Sequence, residues 1–339
     1  MKRTILSTVL VTISLIGTAV AQQQPAAPAA PVRSITQITP DLFRAQNDNH
    51  YTVYLVTSEG IIMGDPINRD FAAWLKGELQ RRHNATVRYV LYTHRDWDHA
   101  SGGAVFADTA QFIGHANMPK ALQVPAGNLP LPQNALAMDA NKNGRVERTE
   151  ATGNLVGQFA ATDANNDGAL TGAELARGQL NDVHPPTQTY SGRHTITLGG
   201  KTVEMISTGA AHADDSSAIY FPAQRAVFAA DTIQVKRFPG GVAPTIGSWI
   251  DAIKTIEKLD FEHALAGHAL AGKKEDVVAL RQYLEDLANG VAAGIGAGRT
   301  LQQIQQSLTL EKYKDWERYE AQRPAHIAQV YATIKGTVN

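Results

Sequence analysis

THRDWDHASGG, residues 93–103, sets two histidines and two aspartates within six positions and closes on a pair of glycines. It follows VRYVLYTH, an apolar run of β-branched and aromatic residues that reads as a buried strand delivering His94 at its carboxyl end. The ligand-type residues therefore stand on a loop after a core strand, where a rigid scaffold positions them and leaves them accessible. His94, Asp96 and Asp98 alternate along that loop and His99 adjoins Asp98, so one short segment can face two neighbouring ion positions. Imidazole and carboxylate together suit zinc, and the carboxylates also admit iron or manganese.

Working outward, the same pattern recurs. His212 falls between two strand-like runs in VEMISTGAAHADDSSAIYF, Asp231 closes RAVFAADTI, and His268 follows Gly267 in HALAGHAL. The chain has no cysteine, so any metal must be held by His, Asp and Glu. With HxxxDH-type spacing, a glycine pair, a second His turn, an Asp and a Gly-His, residues 34–272 resemble the metallo-β-lactamase superfamily. The resemblance implies an α+β fold, a four-layer αββα sandwich. It makes His94 and His212 ligands of a first metal, Asp98, His99 and His268 ligands of a second, and Asp231 the bridging carboxylate. Asp65, at the end of a strand, matches an aspartate that supports the ligand loop.

Asp96 departs from the pattern, because the superfamily has its second histidine there. Counting three carboxylates against two divalent ions leaves one positive charge, a weaker Lewis acid. A flavodiiron-type iron centre carries a Glu at this position, so iron or manganese stands beside zinc as the expected metal. The implied activity is hydrolysis of an ester, thioester, lactone or amide, a β-lactam included, by a hydroxide that two metals activate and Asp98 orients. The alternatives are an iron-dependent redox enzyme and a calcium-dependent binding protein without turnover.

Between the ligand segments lies a stretch that the fold does not require, residues 134–180. DANKNGRVERTE (139–150) and DANNDGALTGAE (163–174) both read as twelve-residue EF-hand loops. Asp139 and Asp163 take position one, Asn141 and Asn165 position three, and Asn143 and Asp167 position five. Arg145 and Ala169 offer backbone carbonyls at seven, and Glu150 and Glu174 bidentate carboxylates at twelve. Calcium is the expected cofactor, with the first loop the weaker because asparagine fills both its third and fifth positions.

MKRTILSTVLVTISLIGTAVA, residues 1–21, has a basic start, an interrupted apolar run and a small-x-small end, the pattern of a secretory leader. Export to the periplasm or beyond is expected, with no membrane association after cleavage, and residues 22–33 read as a disordered linker. A net charge of −1 and 43% hydrophobic residues over 339 positions fit a globular chain with a small-molecule substrate and give no support for nucleic-acid binding. After Gly272 the apolar spacing turns helical, with Val277, Leu280, Tyr283, Leu284 and Leu287 on one face and further helices near 300–308 and from Ala325. This extension, 273–339, is too short and too helical for a flavodoxin domain. His50, His83, His115, His184, His194 and His263 lack partners at ligand spacing and read as structural or exposed, with His115 a candidate for the pocket wall. Nothing in the sequence sets the oligomeric state.

Overall fold

The computed structural model describes residues 30–242 and 246–336, so the expected leader and linker residues 1–29 lie outside it. Strands β1 (Arg33–Gln37), β2 (Leu42–Asn47), β3 (His50–Thr57) and β4 (Gly60–Met63) form an antiparallel meander. β5 (Val87–Leu91) and β6 (Gln111–His115) extend it in parallel. A two-stranded ribbon, β7 (Val146–Glu147) with β8 (Ala169–Leu170), belongs to the insertion. The seventh strand of the large sheet is β9 (Gln188–Tyr190), parallel to β6. A second sheet runs in order through β10 (Arg193–Leu198), β11 (Lys201–Ser207), β12 (Ser217–Phe221), β13 (Ala226–Phe228) and β14 (His263–Leu265), only its last pair being parallel. Arg33 is already in β1, paired with Asn47 and bonded to its side chain at 3.1 Å, so the linker ends before it.

Side-chain alternation makes the layers. Along β3, Val53 and Leu55 face the second sheet while Tyr54 faces outward to a helix. Along β12, Ile219 and Phe221 face the first sheet while Ala218 and Tyr220 face the other helical layer. The inner faces pack together through Leu42, Ile62, Leu91, Met205, Phe228 and Leu265. The first sheet's outer face is covered by the helix Arg69–His83, which Asn68 caps by accepting from the Phe71 amide and which buries Phe71, Leu75 and Leu79. The architecture is thus the expected αββα sandwich.

The C-terminal residues belong to that sandwich and do not hang from it. Helices Ile246–Glu257, Lys274–Gly296 and Tyr319–Lys335 together cover the second sheet in one continuous core with Val227, Ala264 and Ala266. The last helix begins at Tyr319, six residues before the start read from the sequence, and Pro324 lies inside it. A proline there lacks the amide of the helical ladder, so the helix carries it at the loss of one backbone bond.

The insertion is the crossover between parallel strands β6 and β9, a connection that must climb over the sheet. It has its own small core of Leu131, Val146, Phe159 and Leu170. In both loops the carboxylate at position one caps the turn: Asp139 accepts from the Asn143 and Gly144 amides, and Asp163 from those of Asp167 and Gly168. Gly144 and Gly168 adopt φ of 81° and 84°, the left-handed backbone that the sharp turn needs. Glu150 and Glu174 fold back on the start of their loops, and Val146 pairs with Leu170 between them. Glu147, at position nine, bonds the side-chain amides of Asn141 and Asn143. The first loop therefore places three carboxylates, Asp139, Glu147 and Glu150, as many as the second. A burial difference remains, because Asp163 and Glu174 are each 2% exposed whereas the first loop lies open.

Candidate metal centre

Every residue expected to hold a transition metal comes to one edge of the sandwich. Asp65 follows β4, the 94–99 segment follows β5, Asp231 follows β13 and His268 follows β14, all at carboxyl ends of strands in parallel pairs. His212 lies in the turn joining β11 to β12. A one-turn helix, Trp97–Ala100, carries Asp98 and His99.

The donors separate into two sets with Asp231 between them. Its Oδ1 lies 3.2 Å from His99 Nε2 and 3.2 Å from His268 Nε2, and Asp98 Oδ2 is 3.3 Å from that same His268 atom. Its Oδ2 lies 3.4 Å from His212 Nε2 and 4.0 Å from His94 Nε2, while Asp96 Oδ2 is 3.0 Å from His212 and 3.6 Å from His94. Donors roughly 2.1 Å from a tetrahedral ion lie roughly 3.4 Å apart, so both sets have the spacing of a filled coordination shell. His94 Nε2 and Asp231 Oδ1 are buried and have no hydrogen-bond partner, which is costly unless something else satisfies them. The donor set fits two divalent cations.

Electrostatics describe the same clustering. Burial alone would raise the Asp96 and Asp98 carboxyls, but the imidazoles facing them, His212 and His94 at the first and His268 and His50 at the second, hold both far below the usual range. Burial would lower His268, yet the carboxylates of Asp231 and Asp98 beside it push it up to about 10. Asp65 is fully buried, and that burial raises its carboxyl. It accepts from the Thr93 amide at 2.8 Å and hydroxyl at 2.6 Å, and that hydroxyl also meets His94 Nδ1 at 3.0 Å. Asp65 thus fixes the ligand loop one residue before its first histidine.

Other residues at this edge gave no signal in the sequence. His50, read as structural or exposed, sits at the start of β3 with Nε2 3.3 Å from Asp98 Oδ2 and its ring edge-on to His268. Arg44, almost fully buried, donates to the carbonyls of Ala266 and Ala269 and so staples the His268 turn. Arg95 pairs with Asp214 and Asp215, joining the 94–99 segment to the turn that carries His212. Gly267 lets that neighbourhood close, since a Cβ there would stand 2.6 Å from His99 Cε1. His115 packs edge-on to Tyr190, His184 stacks on Phe112, and His83 packs against Phe43.

Two cavities open beside the centre. One of about 200 Å³ is bordered by His212, Asp231, His268 and the partly covered Trp249 side. The other, about 680 Å³, lies between Asp96 and Trp97 on one side and Leu155 and Gln158 of the insertion on the other. Trp97 is 46% exposed and faces this second space, whereas Trp249 is 2% exposed and donates its indole N–H to the Thr232 carbonyl.

Comparison with known proteins agrees with this architecture. The family model described as the metallo-beta-lactamase superfamily matches residues 64–268. Over 105 residues the chain is 31% identical to the 2,4-dinitroanisole O-demethylase subunit alpha of Nocardioides sp. (strain JS1661), covering 29% of this chain and 31% of that protein. The chain thus matches about a third of the length of this curated relative. Among solved structures it is similar to the stereoselective inverting sec-alkylsulfatase Pisa1 from Pseudomonas sp., with TM-score 0.64 and 16% identity over 91% of this chain and 51% of that one. It is also similar to a metallo-beta-lactamase from Pontibacter korlensis, with TM-score 0.51 and 14% identity over 75% of this chain and 99% of that one.

Proposed function

The chain belongs to the metallo-beta-lactamase superfamily, and from that premise we propose that it is an exported metal-dependent hydrolase of small molecules, acting on an ester, thioester, lactone or amide, β-lactams included. The observation that carries this reading is the division of Asp231, one oxygen toward His99 and His268 and the other toward His94 and His212. On this reading His94, Asp96 and His212 hold one cation and Asp98, His99 and His268 the other. Zinc is the first candidate, and the carboxylate at Asp96 keeps iron and manganese in play. Two divalent ions held there would supply Lewis acidity and a water acidic enough to ionise near neutral pH.

The chain's own contribution is positional. Asp65 and Thr93 set the His94 ring, His50 steadies Asp98, and Arg95 ties the His212 turn to the loop it must face. Asp98 is placed to orient the attacking water, while Trp97 and the insertion border the larger cavity. The two inserted loops are taken to bind calcium, Asp139, Glu147 and Glu150 serving the first and Asp163, Asp167 and Glu174 the second. Calcium there would stiffen a wall of the cleft, and the millimolar calcium outside cells suits such a clamp. The amino-terminal pattern supports export.

Elemental analysis of protein purified without chelator, beside Asp96→Ala, tests the reading. Two transition-metal ions per chain, falling to about one in the variant, with turnover on an ester and lactone panel, is the expected result. Iron with a visible absorption and no hydrolysis would move the assignment to redox chemistry. Calcium without any transition metal would leave a binding protein.

A further inference from the structure

The cavity of about 200 Å³ that touches both donor sets has a cationic far wall, made by Arg237 and Arg318. Arg237 belongs to the segment after Asp231. Arg318 comes from the C-terminal extension, 81 residues later. A parallel bridge between Arg237 and Glu317 joins them, with the Phe238 amide donating to the Glu317 carbonyl at 3.0 Å and the Glu317 amide to the Lys236 carbonyl at 2.9 Å. Phe238 is fully buried against Tyr283, Trp316 and Tyr319, so the bridge rests on a packed aromatic cluster.

Both sides of the bridge carry backbone strain. Lys236 and Arg318 have φ of 48° and 68°, a left-handed conformation that side-chain-bearing residues rarely hold. Strain of this kind persists where the surrounding structure imposes it, and it gathers at sites where a side chain must be aimed. What it aims here is a guanidinium that makes no hydrogen bond or ion pair among the described residues, that of Arg318. Arg237 is partly engaged: Nε meets Glu317 at 3.3 Å and one terminal nitrogen meets Gln234 Oε1 at 3.2 Å. Glu317 points outward, its side chain 64% exposed, while that of Arg237 is 15% exposed and turned to the cavity.

Three carboxylates and two divalent ions would leave the metal centre with one positive charge, and the wall facing it adds two guanidiniums, one of them paired with the outward Glu317. A space so lined, with forked donors opposite Lewis acids, suits an oxyanion. We propose that Arg237 and Arg318 form an oxyanion-binding subsite, and that the substrate is an ester carrying a sulfate, phosphate or carboxylate group close to the bond that is cut. This deepens the hydrolase reading and rests on it. It also gives the C-terminal extension a role in recognition beyond covering the sheet.

Isothermal titration of the metal-loaded chain with inorganic sulfate, inorganic phosphate and acetate tests it, using wild type, Arg318→Gln, Arg318→Lys and Arg237→Gln. Wild type binds at least one anion. Each glutamine variant binds it about tenfold or more weakly, the loss expected for a charged hydrogen-bonding partner. The lysine variant recovers part of the affinity, and metal content stays at the wild-type value in all of them. Tighter sulfate or phosphate than acetate assigns a tetrahedral ester, and the reverse order assigns a carboxylate-bearing substrate. Anion affinity equal to wild type in Arg237→Gln and Arg318→Gln, or no binding by wild type, overturns the subsite. Because Arg237 and Arg318 are on different elements, a folding failure in one variant leaves the other to decide. A chain that binds anions through these arginines but carries no transition metal would defeat the hydrolase reading alone.

Discussion

The metal centre and the inserted loop pair are both built from carboxylates around a turn, yet they are assembled in opposite ways. In the centre, seven side chains between His94 and His268 are gathered from four separate loops by two sheets. In the insertion, each loop holds its whole donor set within twelve consecutive residues and braces it with its own amides. The centre is therefore a property of the sandwich, and it fails when the sandwich does. The loops are a property of a module with a separate small core, and they can loosen while the sandwich stands.

Acid should separate the two most strongly. His326 is fully buried beneath the Arg318 turn, hydrogen-bonded to Tyr283 at 2.6 Å, and burial pushes it down to about 4. Its folded value lies below its unfolded one, so the unfolded chain binds the extra proton between pH 6.5 and 4 and stability falls as pH falls through that window. The shift corresponds to about 3 kcal/mol from this group. The insertion, residues 134–180, has no histidine. Denaturant unfolding followed at pH 7 and pH 4.5 should show the loss in wild type and a smaller pH dependence in His326→Gln. Equal dependence in both would remove His326 from the account.

Calcium should separate them in the other direction. At a concentration 10- to 100-fold above a dissociation constant in the extracellular range, binding stabilises by roughly 2 kcal/mol. Glu174→Gln removes a buried bidentate carboxylate and should abolish most of the calcium-dependent rise in Tm, while transition-metal content is unchanged. Glu150→Gln, in the open first loop, should do the same to a lesser extent. Limited proteolysis without calcium is expected to cut between residues 131 and 180 before it cuts the sheets. Cleavage elsewhere first would mean that the insertion is no independent module.

The same contrast explains what could be read in the sequence. All seven centre residues were legible because each follows an apolar run and because THRDWDHASGG is a dense local pattern. The paired loops are legible as a pattern, since each expected calcium donor has a fixed offset, while Glu147 stands at a position that need not ligate. His50, Arg44 and Arg318 were not legible. His50 opens a strand with no ligand-type neighbour, and Arg318 gains its meaning only from the bridge that its neighbour Glu317 makes to Arg237, 80 positions earlier. Tertiary contact creates those roles, and no periodicity announces it. The final helix begins at Tyr319, six residues before Ala325, with Pro324 inside it.

The central claim is that Asp231 stands between two ion positions. Anomalous diffraction from crystals grown with zinc or manganese tests it most directly. The account predicts two peaks, one bounded by His94, Asp96 and His212 and the other by Asp98, His99 and His268, each within coordination distance of a different oxygen of Asp231. A single peak, or two peaks of which only one touches Asp231, would contradict it.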